Sequence, residues 1–123
     1  MNDEEILHAL EKAGFSIEDG LSYSGDDTDF YFELLGDYAA SYEAKCAHLN
    51  DFLESESIED YRIEIHALKS TSRTIGAEDV FSASKSLEDA AKSGDLAFIR
   101  AHHDECLRLF QEKAQRITAL IPD

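Results

Sequence analysis

Ser57-Ile58-Glu59-Asp60-Tyr61-Arg62-Ile63-Glu64-Ile65-His66-Ala67-Leu68-Lys69-Ser70-Thr71-Ser72-Arg73-Thr74-Ile75-Gly76 is the stretch whose reading decides the fold. Tyr61, Ile65, Leu68, Ser72 and Ile75 recur at steps of three and four, the spacing of one face of an α-helix, and no sustained strand alternation competes with it. Gly76 stands where such a helix would stop. Ser57 with Asp60 three residues on resembles a capping box and sets the start. A helix with one apolar stripe must bury that stripe against other elements, so the flanking sequence decides the architecture.

Both flanks read as helices. Upstream, a short apolar face of Ile6, Leu7 and Leu10 predicts a helix from about Asp3 to Ala13, ended by Gly14. A loop follows through Gly20 and Gly25 to Asp27, with Phe15, Ile17 and Leu21 tucked under the bundle. A second helix over about Thr28–Leu53 is expected from the seam Tyr31, Leu34, Leu35, Tyr38, Tyr42, Cys46, Leu49 and Leu53. Asp27 is its N-cap, and Gly36 weakens it only slightly. Downstream, Val80, Ala83, Ser84, Leu87, Ala90 and Ala91 predict a helix over about Glu78–Lys92. Ser93-Gly94-Asp95 makes a turn, and Asp95 caps a last helix on Ile99, His103, Cys106, Phe110, Ala114 and Ile117. Four long amphipathic helices with short connections pack most simply as an all-α, antiparallel up-down-up-down four-helix bundle, with the short first helix covering one end. The expected organisation is one domain over 1–123, the short helix at about 3–13 and the bundle at about 28–120.

Composition agrees and excludes several functions. The 123 residues include six Gly and one Pro, and 43% are hydrophobic, which suits one helical domain with a core of its own. Lys and Arg total 11 against 27 Asp and Glu, a formal charge of −16. Such a chain is repelled by nucleic-acid phosphates and anionic lipid, so neither is an expected partner. Cys46 and Cys106 read as reduced intracellular thiols. The start Met-Asn-Asp-Glu-Glu lacks the basic region of a secretory leader, and no apolar run approaches membrane-spanning length. A cytoplasmic location and a monomer are expected.

Chemistry concentrates at His66. At roughly 100° per residue, Arg62 and Arg73 fall within about 40° of it, Lys69 about 60° away and Ser70 about 40° to the other side. The apolar stripe points the opposite way, so His66 is expected to face solvent. An exposed imidazole is largely neutral near pH 7 and keeps a lone pair on one ring nitrogen, which can attack phosphorus. Nearby cations would favour an arriving phosphoryl group. No buried orienting carboxylate is evident, which fits a passive acceptor. The same spacing also describes an ordinary solvated ridge, with Glu59 diluting its field.

His66-Ala67-Leu68-Lys69-Ser70, followed by Ile75-Gly76-Ala77, resembles the signature of histidine-phosphotransfer (HPt) domains: His-x-Leu-Lys-Gly, then an aliphatic residue and Gly-Ala. Leu21-Ser22-Tyr23-Ser24-Gly25-Asp26 and Tyr31-Phe32-Glu33-Leu34-Leu35 resemble the family's leading loop and first bundle helix. Leu87-Glu88-Asp89-Ala90-Ala91 with Gly94-Asp95 resembles a later helix and turn. The resemblance implies a four-helix bundle and reversible transfer between a histidine and the aspartate of a response-regulator receiver domain or a hybrid sensor histidine kinase. It implies His66 as phosphoacceptor and Lys69 as the residue that steadies the phosphoryl group, with no cofactor of the chain's own and Mg²⁺ only in the receiver. Ser70 replaces the family's usual Gly, and Arg73 an often small residue. Arg62, Ser70 and Arg73 are candidate docking residues. Lys85 joins them because a tight turn at Gly76 would put residues 85 and 86 at the height of His66.

Two other functions remain open from sequence. The chain could be a helical adaptor that docks receiver domains or other signalling partners without carrying phosphate. His102, His103 and Cys106 could suggest a metal, although His103 and Cys106 fall on the core seam and no ligand pair has structural-site spacing. Asp26, Asp27 and Asp29 read as a capped, solvated helix start.

Overall fold

The apolar steps of the sequence become seven helices in the computed structural model, which describes residues 1–122. They are α1 (Asp3–Lys12), α2 (Ile17–Tyr23), α3 (Thr28–Ala40), α4 (Tyr42–Glu54), α5 (Ile58–Ile75), α6 (Glu78–Ser93) and α7 (Leu96–Leu120). Cross-helix bonds give the directions. Tyr31 donates to the Ile75 carbonyl at 2.8 Å, Tyr38 pairs with Ser72 at 2.8 Å and Lys45 with Glu64 at 3.5 Å. The α5 number falls as the α3–α4 number rises, so α5 runs antiparallel to both. The same pattern relates α6 to α5 through His66–Glu88 and Arg73–Phe81. It relates α7 to α6 through Lys113–Asp79 and Cys106–Ser84, and α7 to α4 and the turn after it through His103–Asn50 and Arg100–Glu56. The ring of packed neighbours closes as an up-down-up-down helical bundle, with α3 and α4 forming one of its four rods.

The core is the set of apolar positions that the periodicity selects. Tyr31, Leu35, Leu49, Tyr61, Ile65, Leu68, Ile99 and Phe110 are fully buried. Burying each such side chain contributes roughly 1.5–3 kcal/mol. Asp27 accepts from Phe30 N at 3.1 Å and Asp95 from Phe98 N at 3.0 Å, as N-caps should. α1 packs on α7 near one end of the bundle.

Three expectations need correction. The single helix over 28–53 is interrupted at Ser41, whose hydroxyl donates to the Tyr38 carbonyl at 2.7 Å. A side chain competing for a carbonyl of the preceding turn opens and bends a helix. Lys45 N still reaches Ser41 O at 3.1 Å, so helical bonding resumes past the interruption. The expected loop over 14–27 contains α2, which Ser16 caps by accepting from Asp19 N at 3.3 Å. Ser57 makes no capping box: its hydroxyl pairs with Ser55 at 2.8 Å instead of the α5 backbone. A capping box does form at Asn2 and Glu5.

Gly76 joins these pieces. It caps α5 at φ +81, and its carbonyl accepts from Ser16 N at 2.8 Å, tying the segment before α2 to the α5–α6 turn. A Cβ at Gly76 would lie 2.2 Å from the Ser16 carbonyl oxygen, so both the dihedral and the close approach require glycine.

Candidate functional site

His66 lies midway along α5, where the buried neighbours Ile65 and Leu68 fix the helix against the core and turn the imidazole outward. Its side chain is 55% exposed. On the facing helix, α6, Glu88 lies beneath it with only 1% of its side chain exposed. Glu88 Oε2 is 2.6 Å from His66 Nδ1, and Lys69 Nζ is 2.6 Å from Oε1. The lysine contact is a short ion pair in a largely covered position. Lys92 Nζ, one turn further along α6, is 3.7 Å from Oε2.

The electrostatics of this cluster fix its protonation. Burial pushes the Glu88 carboxyl pKa up, but hydrogen bonding and charge from Lys69 and His66 outweigh burial and hold it below its ordinary value. Glu88 is therefore a carboxylate at neutral pH and can only accept. The proton between it and His66 belongs to Nδ1, so in the neutral ring the lone pair lies on Nε2. Nε2 has no protein partner among the described residues. The result is an exposed nitrogen nucleophile on a rigid helix, with its tautomer set by a buried anion.

The other sequence candidates are placed variously. Lys69 is 23% exposed and already engaged by Glu88. Arg62 grips Glu59 with both Nε and Nη2, at 2.9 and 2.6 Å, so its charge is largely occupied. Ser70 is exposed, one turn beyond His66. Arg73 is exposed, donates to the Tyr23 hydroxyl at 3.0 Å and lies over the Phe81 ring at 5.5 Å. Lys85 is exposed and forms no hydrogen bond or ion pair among the described residues; it sits one turn before Glu88 on α6. The residue facing His66 is thus 88, not 85 or 86. Ala77 is buried between Gly76 and the start of α6 and bridges to Phe15, so the two-residue reversal centres nearer Ala77 than Gly76.

Glu88 is the residue that sequence reading missed. The signal was present: Ser84, Glu88 and Ala91 step by four and three along the small-residue face of α6. A carboxylate there is buried against α5 and must be paired. His102, His103 and Cys106 do not converge. His102 stacks on Phe98 at 4.2 Å between ring centres. His103 Nδ1 is 2.8 Å from the Tyr61 hydroxyl and Nε2 is 2.7 Å from Asn50 Oδ1. Cys106 faces Ser84. Among the described residues no three His, Cys, Asp or Glu side chains gather as a metal site would need.

A family model described as Hpt domain matches residues 33–120, the span that runs from α3 through the His66 helix to the end of α7. The chain belongs to the Hpt domain family. No curated protein and no solved structure matches it. Hpt domains are helical phosphocarriers of phosphorelays, not self-sufficient enzymes. No helix of the described residues is long and apolar enough to cross a membrane.

Proposed function

We propose that this Hpt domain is a phosphorelay intermediate in which His66 Nε2 receives a phosphoryl group from, and returns it to, the aspartate of a response-regulator receiver domain or of a hybrid sensor kinase. The observation that carries this reading is the pair of contacts made by Glu88. It holds Nδ1–H at 2.6 Å and thereby presents the Nε2 lone pair to solvent.

The step balances without a group of this chain's own beyond His66. Nε2 attacks the phosphorus of an aspartyl phosphate, the Nε2–P bond forms as the P–O bond to the aspartate breaks, and the aspartate leaves as a carboxylate. The ring keeps its proton on Nδ1 and gains positive charge. Glu88 stabilises that charge through the bond already made. Lys69 supports the phosphoryl oxygens as they arrive. Phosphoryl transfer depends mainly on positioning and charge stabilisation, and the receiver supplies the acidic pocket and Mg²⁺. Arg62, Ser70, Arg73 and Lys85 are the docking residues of this reading, and the chain acts as a cytoplasmic monomer. The exposed Ile63, one turn before His66, adds apolar surface beside the acceptor.

Incubation with a phosphorylated receiver tests it. Acid-labile, base-stable phosphate should appear on the wild type and be absent from His66→Gln, which should still fold. Lys69→Ala should accept phosphate more slowly. A receiver that binds without ever modifying His66 would identify a docking adaptor instead.

A further inference from the structure

Three cations approach the anionic centre of the site, and they are not equivalent. Lys69 is held at 2.6 Å on Glu88 Oε1 and is mostly covered. Arg62, one turn before His66 on α5, is bound in two-pronged fashion by Glu59. Lys92 makes no hydrogen bond among the described residues. Its Nζ stands 3.7 Å from Glu88 Oε2, the oxygen that His66 Nδ1 contacts at 2.6 Å, and its side chain is 56% exposed. Lys85 also projects from α6 but has no contact with the cluster.

The charge balance is uneven before any phosphate arrives. Glu88 contributes one negative charge, and Lys69, at 2.6 Å from Oε1, already offsets it. Lys92 is therefore a surplus cation in a chain whose net charge is −16. A phosphoryl group brings about −1.5 to −2. We infer that Lys92 is a second phosphoryl-contacting residue: when Nε2 is phosphorylated, Lys92 Nζ leaves Glu88 Oε2 and pairs with a phosphoryl oxygen from the α6 side, opposite the α5 side that Lys69 covers. Its long exposed stem lets it move without disturbing the core. The competing role is a plain helix-end cation, since Lys92 lies in the last turn of α6 and favours the negative end of the helix dipole.

This inference rests on the relay reading of His66, and the experiment separates the two. His66 is loaded with phosphoramidate, which needs no partner protein, and the phosphohistidine is titrated by ³¹P NMR in the wild type, Lys92→Ala, Lys92→Arg and the remote control Lys12→Ala. A contacting cation favours the phosphoryl dianion. Lys92→Ala should raise the titration midpoint by about 0.3–0.7 pH unit, the two- to fivefold effect of an exposed ion pair. Lys92→Arg should restore it, and Lys12→Ala should match the wild type. An unchanged midpoint in Lys92→Ala, or an equal shift in Lys12→Ala, overturns the assignment. So does a lower thermal midpoint of unfolding with no change in the titration, the result expected of a helix-end cation. A wild type that takes no phosphate at His66 overturns the relay reading, and the Lys92 assignment with it, before any variant is compared.

Discussion

Glu88 shows how one buried carboxylate converts a surface histidine into a defined nucleophile. Because the ring gains positive charge as Nε2–P forms, the bond from Nδ1–H to Glu88 strengthens along the reaction. Charge-assisted hydrogen bonds are about twice as strong as neutral ones. Glu88→Gln retains an acceptor without charge, and its phosphoryl acceptance should fall about tenfold, equivalent to roughly 1.4 kcal/mol. Rapid-quench transfer from a phosphorylated receiver measures this, and wild-type rates in Glu88→Gln would show that the carboxylate charge is idle. A second buried group makes stability acid-sensitive. Burial lowers the pKa of His103 from 6.5 despite the raising influence of Asp104. The unfolded chain therefore binds the proton first. The contribution of His103 to stability is whole above pH 6.5 and declines as pH falls towards its folded value. Glu88, also lowered, acts in the same direction in a more acidic range. His103→Gln should flatten the loss of thermal midpoint between about pH 7 and 5; an unchanged slope would place the acid sensitivity elsewhere.

At the scale of the element, the α5–α6 hairpin sets the register that brings Glu88 under His66, and Gly76 is its pivot. Gly76→Ala forces a side chain into φ +81 and against the Ser16 carbonyl. Strain of this kind costs of order 1–3 kcal/mol, and thermal unfolding should register the loss, whereas Gly94→Ala, with nothing near its Cβ position, should lose less. The hairpin also marks where the sequence stops being legible. The α5 stripe of Tyr61, Ile65, Leu68, Ser72 and Ile75 is buried as its spacing requires, because period alone decides which face of a helix meets the core. The outward direction of His66 follows from the same spacing. Register across a turn does not. It depends on Ala77, whose burial against Phe15 is a tertiary contact with no local signature. The misplacement of Lys85 comes from that one turn, whereas Glu88 was legible as a carboxylate on the small-residue face of α6 and only its partner was not. The interruption at Ser41 was hidden for a similar reason, since a serine beside a long apolar seam reads as neutral until its hydroxyl finds a carbonyl.

Across the whole molecule, the charge distribution places two opposing effects in competition. The net charge of −16 strains the folded state through mutual repulsion, which salt screens over a Debye length of about 10 Å at 0.1 M. Salt also weakens the exposed ion pairs, such as Arg100–Glu56 and Arg108 with Glu105 and Glu112. Exposed pairs contribute only about 0.2–1 kcal/mol each, and most of the 27 acidic residues have no cation to pair with. Repulsion therefore prevails, and the thermal midpoint should rise between 10 and 200 mM NaCl at pH 7.5. The Glu88–Lys69 pair should resist this screening, because a side chain with 1% exposure is shielded from mobile ions. Scanning calorimetry across that range checks the sign. A midpoint that falls with added salt would mean that the few ion pairs outweigh the excess negative charge, and that the cations around His66 stabilise the fold more than they prepare it for phosphate.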